Sequence, residues 1–432
     1  MSIEEDCTKI FLWSGLFLHQ KIQRMSVITK VVLDGTLFAE CEMHGANRDG
    51  MMRLTEDITE RLVLKKNLDL SFASTVYIEK YDRALKEFIN KNYEGYSNKI
   101  FSKKPPALSN LLKWKRLFGR KLSKIPITPY YKEIDNCDLF HSFYHPFTNG
   151  VLKNNIKRSI TYLDIIPLKF NGYPDSLINR TKDIVNSIAS NHAISISEFS
   201  KNDLLNYDKR IKPENVYVAP LAASKTLFYK NNSKEDWTHV KAKYSLPENY
   251  FLCVAGSDIR KNIPHIIQSF NKFLLQEKPN DIHLVLTGNG SHNLSMLNDL
   301  NISSEVKSRI FIPNKFIDSD DLAVLYSNAE CFFFMSLYEG FGLPALEAMQ
   351  CGTPTVVSNT TSLPEVVGEG GILLPPTDID ALCETMNNMY KDESLRNKYA
   401  IAGLKKASTF SWQRCADEYA DIFTKIITNT SK

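Results

Sequence analysis

The sequence predicts an α/β protein built from two doubly wound, parallel-sheet domains. Three observations predict it. At 432 residues the chain is too long for one ordinary core. Short apolar runs rich in Val, Ile and Phe alternate with helical patterns, the order of a parallel sheet covered on both faces. That alternation occurs in two blocks, separated by a polar stretch at residues 228–248 that lacks clear periodicity and reads as a linker.

Residues 1–26 read as an N-terminal extension outside the fold. Their one apolar run, Ile10 to Leu18, is too short to span a bilayer. It also follows Glu4, Glu5 and Asp6, where a signal peptide carries positive charge, and Met25 is an alternative start. The first domain is expected over 27–227. Its strands are Lys30–Gly35, Leu68–Ala73, Leu139–Tyr144, Ser159–Leu163, His192–Ile196 and Val216–Ala219, with helical patterns at Met51–Leu64, Tyr81–Asn92 and Asn179–Ile188. The second domain is expected over 249–410. Its strands are Phe251–Ala255, His283–Thr287, Ile310–Pro313, Cys331–Met335, Pro354–Ser358 and Ile372–Leu374. Helices fit at Ile263–Glu277, Leu322–Ser327, Pro344–Gln350 and Ile379–Tyr390, and a C-terminal helix at about Trp412–Ile427 closes the chain within 411–432. Such domains bind ligands at the carboxyl ends of their strands.

Composition narrows the function classes. With 43% hydrophobic and 24% charged residues the chain has a soluble globular composition, and a net charge of +4 is too small to imply nucleic-acid binding. Eight scattered cysteines with no C-x-x-C pair predict buried thiols in a reducing, cytoplasmic compartment and no zinc site.

The most informative stretch is Glu339-Gly-Phe-Gly-Leu-Pro-Ala-Leu-Glu347, two carboxylates around a glycine turn. An apolar strand precedes it, Gly340 and Gly342 permit a tight turn, and Pro344 opens a helix that Gly352 ends. A helix start favours an anion, whereas two carboxylates favour hydroxyl groups. Both together suit a sugar nucleotide. A second turn, Val254-Ala-Gly-Ser-Asp-Ile-Arg260-Lys261-Asn262, offers an Arg-Lys pair after a strand of the same sheet. Arg holds phosphate oxygens bidentately and Lys adds a point charge, so the pair reads as a diphosphate clamp, with a solvated basic turn as the alternative. The acids at Asp318-Ser319-Asp320-Asp321 read as a helix cap and not as a metal site.

The run from Ser336 to Val367 closely resembles the retaining glycosyltransferases of family 4, in particular bacterial mannosyltransferases of surface-polysaccharide and lipopolysaccharide assembly. The resemblance is dense from about Tyr250 to Leu382. It implies a GT-B fold, two Rossmann-like domains facing across a cleft. It implies Glu339 at the donor sugar, Glu347 at the ribose, Arg260 and Lys261 at the diphosphate, and the backbone of Phe341, Gly342 and Leu343 against sugar and phosphate. In the first domain Gly50, with Arg53 and Thr55, fits the family's glycine-containing loop, and Asp164 falls on the acceptor side. Leu163 stands where the family commonly has His, and Met52 where many members have a second glycine.

Between Lys103 and Lys124 eight basic residues (Lys103, Lys104, Lys113, Lys115, Arg116, Arg120, Lys121 and Lys124) stand among Leu, Trp114 and Phe118 with no acid. Such a basic amphipathic helix fits an anionic membrane surface, the alternative being a solvated helix packed on the sheet.

The expected function is a retaining hexosyltransferase needing no metal or cofactor. It moves a hexose, mannose favoured and GDP-mannose the favoured donor, to a glycan or lipid-linked acceptor. Its expected place is the cytoplasm, peripheral to the inner face of the membrane. Same-face attack is favoured for retention, and a covalent route through Glu339 is the alternative. Leu163 and Met52 motivate a second class, a non-catalytic partner that binds nucleotide sugar as a scaffold.

Overall fold

A computed structural model describes residues 28–44, 50–75, 79–101, 132–255, 258–288, 295, 297 and 299–429. The extension at 1–26, the basic segment 103–124 and the pair Gly256-Ser257 lie outside the described residues. The strands are β1 (Thr29–Asp34), β2 (Leu68–Ala73), β3 (Ile100–Phe101), β4 (Leu139–Ser142), β5 (Lys157–Tyr162), β6 (His192–Ser195), β7 (Val216–Val218), β8 (Asn249–Val254), β9 (Ile282–Thr287), β10 (Ile310–Phe311), β11 (Cys331–Phe334), β12 (Thr355–Ser358) and β13 (Ile372–Leu374).

They form two parallel sheets, a seven-stranded one in the order β3-β2-β1-β4-β5-β6-β7 and a six-stranded one in the order β10-β9-β8-β11-β12-β13. Each starts in the middle, runs to one edge and returns to the other side. That is the doubly wound order, with a switch point between β1 and β4 and another between β8 and β11. The α/β class and the Rossmann-like character of both sheets agree with the sequence.

The described chain divides into two compact units. One takes the residues up to Ser142 together with Phe147–Arg158 and the residues from Ala420, and the other takes Phe143–Pro146 and Ser159–Tyr419. Residues 227 and 249 both fall inside the second unit, in which the helix Glu198–Tyr207 and its cap hydrogen-bond to the turn after β11.

Aromatic packing fills both cores. In the first unit Phe38 stacks on Phe88 at 4.7 Å and meets Phe72 edge-on at 6.3 Å. In the six-stranded sheet Phe251 meets Phe333 edge-on at 5.1 Å and Phe270 at 6.4 Å, and all three are fully buried. Cys253, Cys331, Cys351 and Cys383 are buried thiols.

Residues 228–248, read from the sequence as a linker, include regular structure. They contain the helix Lys234–Tyr244, capped by Ser233 accepting from the Asp236 N–H. Trp237 stacks on Tyr250 at 5.9 Å. Lys243 reaches Asp318 and Asp321 at 2.7 and 2.6 Å, so those acids pair with a lysine instead of capping a helix with their side chains. Only Val240 and Tyr244 of this helix are buried, an i, i+4 stripe too narrow to register as periodicity. The same holds for the helix Glu393–Ala407, whose buried residues are Gly403 and Ala407. A Cβ on Gly403 would lie 3.2 Å from Met349 Cγ, so close helix approach replaces a wide apolar face there. No described helix is long and apolar enough to cross a membrane.

Candidate functional site

Two turns meet at the switch point of the six-stranded sheet. β8 and β11 pair directly, Phe251 with Cys331 and Leu252 with Phe332, so the segments leaving both strands emerge side by side. After β8, Asp258 caps the short 3-10 turn Ile259–Lys261, and Asn262 adopts the left-handed conformation at φ 56°. The Asn262 amide then donates to the Met335 and Pro376 carbonyls at 3.1 and 2.7 Å. The Leu337 N–H donates to the Arg260 carbonyl at 2.7 Å. The two turns are thereby joined by the Asn262 side-chain amide and by one main-chain bond, which fixes the side chains between them.

Glu339 is the centre of this arrangement and is only 6% exposed. Its Oε1 accepts from Lys261 Nζ at 2.7 Å and from Ser336 Oγ at 2.7 Å. Its Oε2 lies 2.7 Å from the Arg260 guanidinium. Burial alone would raise this carboxyl, yet Lys261 and Arg260 hold it below the ordinary glutamate value. Burial likewise opposes the charge on Arg260, and Glu339 and Asp258 more than restore it. Arg260 Nε donates to Asp258 at 2.7 Å, and a terminal nitrogen donates to the Tyr338 carbonyl at 3.0 Å. Lys261 Nζ also sits 4.4 Å from the centre of the Phe334 ring. Two cations and two carboxylates thus form a balanced quartet. Tyr173 adds a fifth member by donating its hydroxyl proton to Asp258.

The glycines have separate reasons. Gly342 has φ 104°, and a Cβ there would stand 2.5 Å from Leu363 Cδ2. It precedes the helix Leu343–Gln350, with Pro344 in the first turn. Gly340 has an ordinary backbone, but its Cβ would lie 2.8 Å from Asp164 Oδ2 and 3.0 Å from the Leu163 carbonyl. Asp164 therefore packs directly beside the Glu339 turn. Its Oδ1 accepts the Ile166 N–H at 2.9 Å. Burial of this carboxyl among protein atoms, with Glu339 and Asp203 nearby, outweighs that bond and Arg260 and raises its pKa to about 6.

Glu347 is half-buried on the helix Leu343–Gln350, with Leu346 and Met349 fully buried on either side of it. Tyr326 donates its hydroxyl proton to Glu347 Oε2 at 3.4 Å. Phe341 is buried, and its carbonyl and that of Glu339 both accept from Ser362 Oγ at 2.9 Å. Leu343 is half-buried as the first residue of its helix. Gly50 is exposed at the start of the helix Gly50–Leu62, which also carries Arg53 and the buried Met52 and Thr55. That helix belongs to the first unit, while every other site residue lies in the second.

Sequence reasoning did not single out Asp258, Ser336, Tyr338 or Thr361, whose hydroxyl accepts the Glu339 N–H at 3.2 Å, as members of the site. Asp258 and Ser336 each lie within three residues of a residue that was chosen, and only the fold shows that their side chains turn inward. Among the described residues no three His, Cys, Asp or Glu side chains are placed to hold a metal ion.

Residues 236–406 match the family described as Glycosyl transferases group 1. The chain is 33% identical over 229 residues to O-antigen chain mannosyltransferase B of Escherichia coli, covering 52% of this chain and 58% of that protein. It is 30% identical over 241 residues to MMP alpha-(1->4)-mannosyltransferase of Mycolicibacterium hassiacum, covering 54% of each. The chain thus spans about half the length of these relatives, and 29% of the E. coli serotype-specific mannosyltransferase WbdA, to which it is 30% identical over 239 residues and 55% of its own length. Among solved structures, Anabaena Alr3699/HepE in complex with UDP aligns with a TM-score of 0.64 at 16% identity, covering 92% of this chain and 100% of that one. Sucrose-phosphate synthase from Thermosynechococcus elongatus aligns with a TM-score of 0.59 at 18% identity, covering 93% and 100%. The fold is that of the GT-B glycosyltransferases, and residues 236–406, which carry Glu339, Glu347, Arg260 and Lys261, form a glycosyltransferase group 1 domain.

Proposed function

We propose that this chain is a retaining hexosyltransferase that moves mannose from a nucleotide sugar, GDP-mannose favoured, to a glycan or lipid-linked acceptor. The observation that carries the reading is the quartet of Arg260, Lys261, Glu339 and Asp258 at the switch point, beside the helix start at Leu343. Mannosyltransferase relatives at 30–33% identity support the sugar. A structural neighbour crystallised with UDP-glucose supports a sugar nucleotide as donor.

In this mechanism the diphosphate lies against Arg260, Lys261 and the first turn of the helix Leu343–Gln350. The bond from the sugar C1 to the phosphate oxygen breaks, and its electron pair leaves with the nucleoside diphosphate. Arg260 and Lys261 stabilise that developing charge from fixed positions, so little reorganisation is needed as the bond breaks. The acceptor oxygen bonds to C1 from the same face, and its proton passes to a phosphate oxygen of the leaving group. Glu339, freed from one cation by the incoming phosphate, accepts hydrogen bonds from hydroxyl groups of the sugar, and Glu347 accepts them from the ribose hydroxyls. Asp164, with a pKa of about 6, stands on the acceptor side, where its charge changes near neutral pH.

A thermal-shift series with GDP, UDP, dTDP and ADP, followed by the matching sugar nucleotides, tests the reading. At a hundredfold excess over Kd a ligand adds about 2.7 kcal/mol. A response to GDP and GDP-mannose is expected. A flat response to all of them overturns the donor assignment.

A further inference from the structure

The two residues that flank Glu339 are both held by a single helix and its cap from another part of the same unit. On one side is Tyr338. Its hydroxyl donates to Asp203 Oδ2, and its ring is met edge-on by Phe170 at 5.9 Å and by Phe199 at 5.4 Å. Lys169 lies 5.1 Å from the ring centre and pairs with Asp203. The carbonyl of the same Tyr338 accepts a hydrogen bond from the Arg260 guanidinium at 3.0 Å. On the other side is Gly340. Its carbonyl accepts two hydroxyl protons, from Ser197 at 2.7 Å and from Ser200 at 2.9 Å, and both serines are fully buried.

Ser197, Ser200 and Asp203 lie at a spacing of three, on one face of the helix Glu198–Tyr207 and its cap. The N-terminus of that helix is bound in turn by Glu365, whose carboxylate accepts the Glu198 and Phe199 N–H groups at 3.0 and 3.3 Å. Glu365 belongs to the helix Leu363–Val367, whose cap residue Ser362 donates to the Glu339 carbonyl at 2.9 Å. The loop of contacts therefore starts and ends at Glu339. A core helix needs apolar contacts to be held in place. This one presents a row of three polar side chains to the two residues beside one carboxylate, the serines to the Gly340 carbonyl and Asp203 to the Tyr338 hydroxyl.

We propose that Asp203, Ser197, Ser200 and Glu365 act as positioning residues that set the Glu339 carboxylate against Lys261 and Arg260. The inference rests on the transferase reading for its catalytic meaning, but the positioning itself has a readout independent of activity. Each residue acts through Tyr338, Gly340 or the helix end and touches no reacting atom. Loss of such support leaves the chemical groups present and lets them drift, which reduces turnover more than binding.

Three variants test it: Tyr338→Phe, the pair Ser197→Ala with Ser200→Ala, and Asp203→Asn, which keeps an acceptor for the Tyr338 hydroxyl. The first measurement is the carboxyl titration of Glu339 by carbon-13 NMR on the whole protein, assigned by Glu339→Gln. Tyr338→Phe and the double serine variant are expected to raise its midpoint toward the ordinary glutamate value, while Asp203→Asn moves it less. A midpoint unchanged in both of the first two overturns the proposal whether or not the protein turns over a donor. The second measurement uses GDP-mannose hydrolysis and the Kd of GDP. Turnover is expected to fall about tenfold while the GDP Kd changes less than about twofold. Equal losses in both, accompanied by a lowered melting temperature, indicate a purely structural role and also overturn it. A wild-type protein that binds neither GDP nor GDP-mannose refutes the donor reading and leaves the titration to decide the positioning.

Discussion

Replacing Asp164 by Asn removes a charge that the folded protein holds at a disadvantage. Its pKa is raised from 3.8 to about 6, so the folded state binds this proton more tightly than the unfolded chain does. Below about 3.8 the raised value adds its full stability to the folded state, and that stability is lost as pH rises through about 6. One pKa unit corresponds to about 1.4 kcal/mol, so the full difference is roughly 3 kcal/mol. Asn keeps an acceptor for the Ile166 N–H and carries no charge at any pH. Relative to wild type, Asp164→Asn is therefore expected to gain roughly 2–3 kcal/mol in going from pH 4 to pH 8. For a unit of this size that difference corresponds to roughly 5–10 °C in melting temperature. Differential scanning calorimetry of both proteins at pH 4, 6 and 8 reads it directly. A difference in melting temperature that stays constant across this range, or one that shrinks toward pH 8, refutes the reasoning.

Gly342→Ala strains a backbone at φ 104° and drives a methyl group to 2.5 Å from Leu363, so a loss of about 1–3 kcal/mol is expected by urea denaturation. Phe333→Ala removes a fully buried ring packed on Phe251 and is expected to cost about 3–5 kcal/mol in the same assay. Glu347→Ala is expected to weaken GDP binding by about 10–100-fold, the worth of a charged hydrogen bond, in isothermal titration calorimetry. Lowering the pH protonates Glu339 only below the ordinary glutamate range, so its pairing with Lys261 contributes full stability above about 4.5 and is lost as pH falls through the lower folded value. Between pH 5 and pH 8 its NMR midpoint is expected to leave no inflection.

Much of the fold was legible because its signals are local. The strand Leu68–Ala73 and the helices Ile263–Glu277 and Leu322–Ser327 have the bounds their apolar patterns predict. The helices Lys234–Tyr244 and Glu393–Ala407 were not legible, since each buries only two side chains four residues apart. For the site, Glu339 with its glycine turn and Arg260 with Lys261 are contiguous motifs, and the fold brings both to one switch point. What escaped is long-range pairing. Tyr173 meets Asp258 across 85 positions and Asp203 meets Tyr338 across 135, and no pattern within one window carries such a relation. The Lys243 pairing with Asp318 and Asp321 escaped for the same reason, although both acids do stand at the cap positions of the turn Ser319–Asp321 and the helix Leu322–Ser327.

The balanced quartet at the switch point has a consequence for selectivity in a solution full of small anions. Arg260 and Lys261 are already matched by Asp258 and Glu339, so these four side chains carry no net charge among themselves. Inorganic phosphate or sulfate meets cations that are already paired, and to bind one it has to take it away from a carboxylate 2.7 Å distant. Only a ligand that also offers hydroxyl groups to the displaced carboxylate recovers that loss. On the donor assignment proposed above, the ion pairs would act as a filter that disfavours bare anions relative to those attached to a sugar.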